Sequence, residues 1–215
     1  MAVAPTTLPS LDFAVDSAEA VRFAAAPTVL FTVRVVSDKP VRSLALNTQI
    51  RIAPGRRRYS ERDEERLVEL FGPPEQWGET LRTFLWAHAS ALVTPFDDTT
   101  SVELTAPCTY DLEVATAKYF YALDDGDVPL ELLFSGTVFF AAEDGGLQAA
   151  QIPWDSEATF RMPVRVWKQA IANHFPGSAW LRLREDVFDR LVAYKAGHAL
   201  PTWEAVIEDL LEGRE

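Results

Sequence analysis

Three segments of the sequence alternate apolar and polar residues, and this alternation constrains the fold more than any other feature. The segments are Val29–Val35, Leu44–Ile52 and Leu130–Phe140. Because successive side chains of a β-strand point to opposite faces of the sheet, each segment is predicted to be a strand with one buried face. A run of turn residues, Glu143–Gly146, follows the last segment and predicts a further strand from about Leu147.

A fifth strand is predicted over Tyr110–Tyr121, where the apolar residues change phase near Thr116–Lys118. A phase change within a strand is typical of a β-bulge or a bend. The turn residues Asp124–Asp127 then predict a hairpin between this strand and Leu130–Phe140. Successive hairpins indicate an antiparallel sheet, since a parallel sheet would require strands that alternate with helices.

Helices are predicted at four places. Ser60 and Asp63 provide a capping-box-like start for a helix over Glu61–Phe71, and Gly72-Pro73-Pro74 ends it. A second helix is predicted where Val164, Trp167, Ile171 and His174 share one helical face, and Pro176-Gly177 ends it. A third is predicted over Glu185–Ala196, with an inward face formed by Val187, Phe188, Leu191 and Val192. The fourth is predicted over Trp203–Leu211.

The predicted fold class is therefore α+β, an antiparallel β-sandwich or curved sheet with a C-terminal helical cap. We expect residues 1–215 to form a single domain, because 215 residues with 48% hydrophobic content suit one core. Within it, residues 1–162 are expected to be mainly β with one helix near 61–71, and residues 163–215 to be the helical cap.

The net charge of −12 narrows the classes of partner. A field of this sign repels phosphate backbones and anionic membrane surfaces, so nucleic-acid binding is disfavoured. No apolar run is long enough for a transmembrane helix, and the first residues do not resemble a signal peptide. The single cysteine excludes an intrachain disulfide and fits a reducing, cytoplasmic location.

Catalytic chemistry has few candidates in this sequence. Cys108 is a candidate nucleophile with His88 or His174 as its base, as in a small-ligand or hydrolytic pocket. The alternative is a buried structural thiol, since free cysteine is among the most buried residue types. The histidines lack metal-ligand spacing, and turn chemistry accounts for Asp124–Asp127. We therefore predict no metal and no cofactor.

One cluster of basic residues is a candidate partner surface. Arg56, Arg57 and Arg58 are followed by a stretch in which acidic and basic residues alternate, and Trp77 lies in a segment punctuated by Pro and Gly. Tryptophan and arginine are enriched where protein interfaces derive their binding energy. Internal ion pairs on a solvated surface are the alternative interpretation.

The C-terminal segment allows one further hypothesis. Trp180–Arg184 alternates and precedes two predicted helices, an order that resembles the ribbon-helix-helix DNA-binding fold. There the alternate residues Trp180, Arg182 and Arg184 would read the major groove, or Leu181 and Leu183 in the opposite phase. Residues 180–215 contain five basic and eight acidic residues, which favours a packing hairpin of helices instead.

Several short motifs resemble an uncharacterised bacterial family of hypothetical proteins. They are Thr48–Ile52, Phe71–Pro74, Pro107–Asp111, Ala117–Phe120, Leu133–Thr137, Ile152–Trp154 and Leu200–Trp203. The family is associated with gene neighbourhoods of nickel-iron hydrogenases. This resemblance implies a non-enzymatic accessory role in hydrogenase maturation or assembly, exercised through protein contacts, and it brings no catalytic residues with it.

Overall fold

The computed structural model describes residues 8–109, 111, 114–142, 145–178 and 182–213. The chain divides into two compact units, Met1–Ala179 and Trp180–Glu215. That the two act as one domain stays a prediction. No helix in the described residues is both long and apolar enough to cross a membrane.

The described residues form eight strands and six α-helices, which confirms the α+β class. In chain order the strands are β1 (Leu11–Ala20), β2 (Thr28–Ser37), β3 (Val41–Ile52), β4 (Phe84–Val93), β5 (Thr99–Pro107), β6 (Asp127–Ala141), β7 (Leu147–Gln151) and β8 (Glu157–Pro163). The helices are α1 (Glu61–Phe71), α2 (Trp77–Thr80), α3 (Ala115–Ala122), α4 (Val164–His174), α5 (Glu185–Gly197) and α6 (Trp203–Glu212).

The strands form two antiparallel sheets. One sheet has the order β1-β2-β5, and the other has the order β4-β3-β6 with β7 and β8 on the free side of β6. β8 pairs with the first half of β6 and β7 with the second half. The three strands predicted from alternation are confirmed as β2, β3 and β6, and the strand predicted from about Leu147 is β7.

Aromatic side chains from the two sheets meet in one core. Phe13 of β1 stacks on Phe134 of β6 with ring centroids 4.2 Å apart. Phe31 of β2 meets Trp86 of β4 and Phe160 of β8 edge to face. Because such pairs join strands of different sheets, the sheets pack face to face as a sandwich, which is one of the two predicted architectures.

The strand predicted over Tyr110–Tyr121 is wrong, because Ala115–Ala122 is the helix α3. Thr116, Tyr119 and Phe120 are all buried, which is helical spacing, so the apparent phase change marks a helix rather than a bulge. The hairpin predicted at Asp124–Asp127 is also wrong, since that turn joins a helix to β6. Tyr110, Leu112 and Glu113 lie outside the described residues.

The four predicted helices are confirmed as α1, α4, α5 and α6. α1 begins with the predicted capping box: the Ser60 side chain accepts from the Asp63 amide, and the Asp63 side chain accepts from the Ser60 amide. The predicted inward face of α5 needs correction, since Phe188 and Val192 are exposed. The Phe188 ring packs on Trp203 of α6. This contact leaves part of the predicted inward face of α5 exposed.

Candidate partner-binding cleft

Four arginines line one open cleft of about 410 Å³ in the described part of the chain. Arg56, Arg57 and Arg58 come from the segment between β3 and α1, which begins with the 3-10 turn Pro54–Arg56. Arg161 comes from β8, which reaches the same place by pairing with β6. Gly126 and Asp127, where the turn enters β6, complete the lining.

Arg57 is the structural member of this group, because its side chain is only 8% exposed. Its guanidinium donates to the carbonyl oxygens of Asp127 at 2.9 Å and Asp125 at 2.6 Å. Nη2 also lies 3.5 Å from Oδ2 of Asp63. Gly126 has a φ of +87°, and a Cβ there would lie 3.4 Å from Nη2. Arg57 therefore clamps the turn before β6 onto the start of α1.

Further cations of the protein contact Asp124 in the same turn. Arg66 Nη1 lies 2.6 Å from Oδ1 of Asp124, and Arg62 Nε lies 3.4 Å from Oδ2. The hydrogen bond from Arg66 lowers the pKa of the Asp124 carboxyl. Lys168 donates to the Asp124 carbonyl at 3.0 Å. The described residues contain no group of three side chains placed to hold a metal ion.

The other three arginines of the cleft are exposed. Arg56 Nη2 lies 2.8 Å from Oε1 of Glu131, with the Arg56 side chain 60% exposed. Arg161 donates to the Arg56 carbonyl oxygen at 3.3 Å. Neither Arg58 nor Arg161 forms an ion pair with any residue that the structure describes. These two guanidiniums are therefore available to an incoming anionic group.

Trp77, which was predicted to share a surface with these arginines, lies in the core instead. It is 8% exposed, and its Nε1 donates to the Gly72 carbonyl at 2.8 Å. Its ring packs edge to face against Tyr59 and Phe71. The structure thus brings Arg56, Arg57 and Arg58 together without Trp77.

The sequence pattern did not identify Arg161 as a residue of the site. It lies far along the chain from the arginine triplet, and no motif connects the two. A prediction of β8 as a strand paired with β6 would have been needed to find it, because that pairing sets Arg161 opposite Pro129.

The structure surrounds Cys108 with apolar residues. Cys108 is 4% exposed, and its Sγ lies 3.8 Å from the Ala106 carbonyl oxygen. Burial raises the pKa of the thiol to about 12. A thiol with this pKa stays protonated near neutral pH, whereas the nucleophile in thiol chemistry is the thiolate.

Neither of the two histidines proposed as bases forms a hydrogen bond with Cys108 in the described residues. His88 is exposed on β4, where its neighbours Ala87 and Ala89 are the buried residues. His174 is half-buried, and its Nε2 lies 2.8 Å from the Ala24 carbonyl oxygen. Cys108 therefore has neither a lowered pKa nor a hydrogen-bonded histidine to activate it as a nucleophile.

The C-terminal unit provides little support for the ribbon-helix-helix hypothesis. Trp180 and Leu181 lie outside the described residues, and residues 182–184 belong to no strand. Arg184, which would face DNA, lies 3.0 Å from Asp186. Tyr194 of α5 donates to Asp209 of α6 at 2.6 Å, so the two helices pair with each other.

Comparisons with solved structures give only weak similarity. A β-glucosidase from Kluyveromyces marxianus is 8% identical with a TM-score of 0.28, covering 72% of this chain and 15% of its own. β-Glucosidase 3B from Thermotoga neapolitana is 10% identical with a TM-score of 0.26, covering 71% and 17%. The chain thus spans less than a fifth of these enzymes, and TM-scores this low carry no argument about fold or activity.

The chain matches no curated protein. A family model does match, over residues 8–215, and its description is a family of unknown function, DUF6084. The resemblance to an uncharacterised family is confirmed to that extent, and the chain belongs to the DUF6084 family.

Proposed function

We propose that this chain is a non-enzymatic accessory protein that holds a partner protein at the arginine cleft. The observation that carries the proposal is the pair of exposed guanidiniums, Arg58 and Arg161, which have no ion-pair partner among the described residues and lie on one cleft. Arginine presents a rigid fork of donors and is enriched at protein interfaces, so such a cleft suits recognition of a protein.

We further propose that the partner is a component of a nickel-iron hydrogenase and that the role lies in maturation or assembly. The support for this step is the resemblance of the sequence motifs to a family associated with hydrogenase genes. A cytoplasmic location accompanies the proposal, because the only cysteine would remain a thiol there.

Affinity capture from the native cells tests the proposal. The bait is the tagged full chain, either unchanged or as the Arg58→Glu/Arg161→Glu double variant. The matched control is Arg42→Glu, because Arg42 is also exposed but lies at the other end of β3 from the cleft. We expect hydrogenase components with the unchanged chain and the control, and their loss from the double variant.

The other outcomes are equally informative. Capture that survives the double substitution would move the partner surface away from the cleft. Failure of the unchanged chain to retain any reproducible partner would contradict the accessory role. Retention of a different, specific protein would keep the interaction and discard the hydrogenase assignment.

A further inference from the structure

We infer that the cleft recognises an acidic peptide segment whose carboxylates pair with Arg58 and Arg161. The inference rests on the proposed function and names the chemistry of the partner. One arginine of the cleft already binds a carboxylate of the chain itself, since Glu131 Oε1 lies 2.8 Å from Arg56 Nη2. An incoming carboxylate at Arg58 or Arg161 would repeat this contact on a guanidinium that has no such partner.

The balance of charge around the cleft favours carboxylates over phosphate. Four guanidiniums line it, but Arg57 is paired with Asp63 and Arg56 with Glu131. Asp127 also lines the cleft and opposes a dianion, as a phosphate group is near neutral pH. Single negative charges spaced along a peptide suit two separate guanidiniums, and the Asp127 carboxylate can accept from peptide N–H groups.

Glu131 acts as an internal competitor in this arrangement. Its side chain is 16% exposed, while that of Arg56 is 60% exposed, so the arginine reaches solvent beyond the pair. Replacing Glu131 with Gln removes the negative charge but keeps the shape of the side chain. Arg56 then becomes a third available guanidinium, and an acidic ligand should bind more tightly.

The net charge of the chain ensures that binding of an acidic peptide reports on the cleft and not on general attraction to the protein. A chain with a net charge of −12 repels a polyanionic probe at long range, so binding must come from a local basic site. The attraction involves exposed groups, and salt screens such groups beyond about 10 Å at 0.1 M ionic strength. Binding should therefore weaken as salt is added.

The experiment is a fluorescence-anisotropy titration of the full chain with a labelled hexaglutamate peptide at low salt, with hexaglutamine as the uncharged control. We expect binding of hexaglutamate only. Arg58→Glu/Arg161→Glu should weaken it by about tenfold or more, because the double variant replaces two attractive charges with two repulsive ones. Glu131→Gln should strengthen it by about two- to fivefold, and Arg42→Glu should match the unchanged chain.

Each alternative result has a distinct meaning. If hexaglutamate does not bind but capture from cells still depends on Arg58 and Arg161, the acidic-peptide inference is overturned. The proposed function then still stands. Hexaglutamate binding without any partner captured from cells would support the ligand chemistry and count against the accessory role. Equal binding by the double variant, or displacement of the peptide by inorganic phosphate where acetate has no effect, would overturn the inference.

Discussion

Arg57 and Asp63 form an ion pair across the start of α1, with Nη2 3.5 Å from Oδ2 and with side chains only 8% and 6% exposed. Asp63 also accepts from the Asp124 amide at 3.1 Å and completes the capping box with Ser60. One carboxylate thus joins the arginine segment, the helix and the acidic turn. The shape of the cleft depends on this link.

Replacing Asp63 with Asn should destabilise the protein by about 3 kcal/mol, because it leaves the buried Arg57 guanidinium without its charged partner. Urea unfolding followed by circular dichroism measures the loss. Glu61→Gln is the control, since Glu61 is exposed in the same first turn and should cost only about 0.5 kcal/mol. Equal losses in the two variants would mean that the ion pair contributes nothing.

Gly136 provides a second test, because β6 and β3 approach closely there. It has a φ of +137°, and a Cβ would overlap the carbonyl oxygen of Ala45. Gly136→Ala should therefore cost about 2 kcal/mol or more, through backbone strain and displacement of a central strand. Gly78→Ala is the control, because nothing lies within 4 Å of a Cβ in that helical position. Urea unfolding followed by circular dichroism measures both variants, and Gly78→Ala should be neutral or slightly stabilising.

Three strands with one buried face, β2, β3 and β6, could be predicted from alternation, but the short helix α3 could not. β2 and β3 alternate in burial along most of their length, which is the pattern that the sequence displays. α3 buries five of its eight residues, so its apolar residues do not form a clear stripe. A short apolar segment of this kind is compatible with both helix and strand until its tertiary contacts are known.

The candidate site was predictable only in part for a related reason. Arg56, Arg57 and Arg58 are adjacent in sequence, so they were visible as a cluster. Arg161 joins them only through the pairing of β8 with β6, which is a long-range relationship. Trp77 was misassigned because an irregular segment rich in Pro and Gly does not reveal that its indole packs under α1.

The half-buried Tyr59 and the fully buried Tyr119 form a hydrogen-bonded pair whose interaction energy can be measured. The Tyr59 and Tyr119 hydroxyls lie 2.9 Å apart, and Tyr59 also donates to the Pro54 carbonyl at 2.8 Å. Tyr59→Phe should cost about 1–3 kcal/mol, because it leaves the buried Tyr119 hydroxyl without this partner. The Tyr59→Phe/Tyr119→Phe double variant should cost less than the sum of the single ones. Tyr121→Phe, at an exposed side chain, should change little.

The same pair predicts a loss of stability in alkali. Burial raises the pKa of both phenols above the ordinary 10.0, that of Tyr119 to about 12. The folded state therefore keeps protons that the unfolded state releases, so this contribution is complete below pH 10 and declines as the pH rises toward 12. Urea midpoints measured across this range should fall, and they should fall less in the Tyr59→Phe/Tyr119→Phe variant. Identical slopes would contradict the raised pKa values.

Cys108 should be unreactive in the folded chain. Burial raises its pKa from the ordinary 9.0 to about 12, so the thiolate is scarce at pH 8 and the sulfur is closed to solvent. Iodoacetamide at pH 8 should leave the native protein unmodified and should label it fully in urea, with mass spectrometry counting the single adduct. Because Cys108 is the only cysteine, no other site contributes to the signal. Rapid labelling of the native protein, at the rate of a free thiol, would instead show an accessible thiolate and would return the hydrolytic hypothesis to consideration.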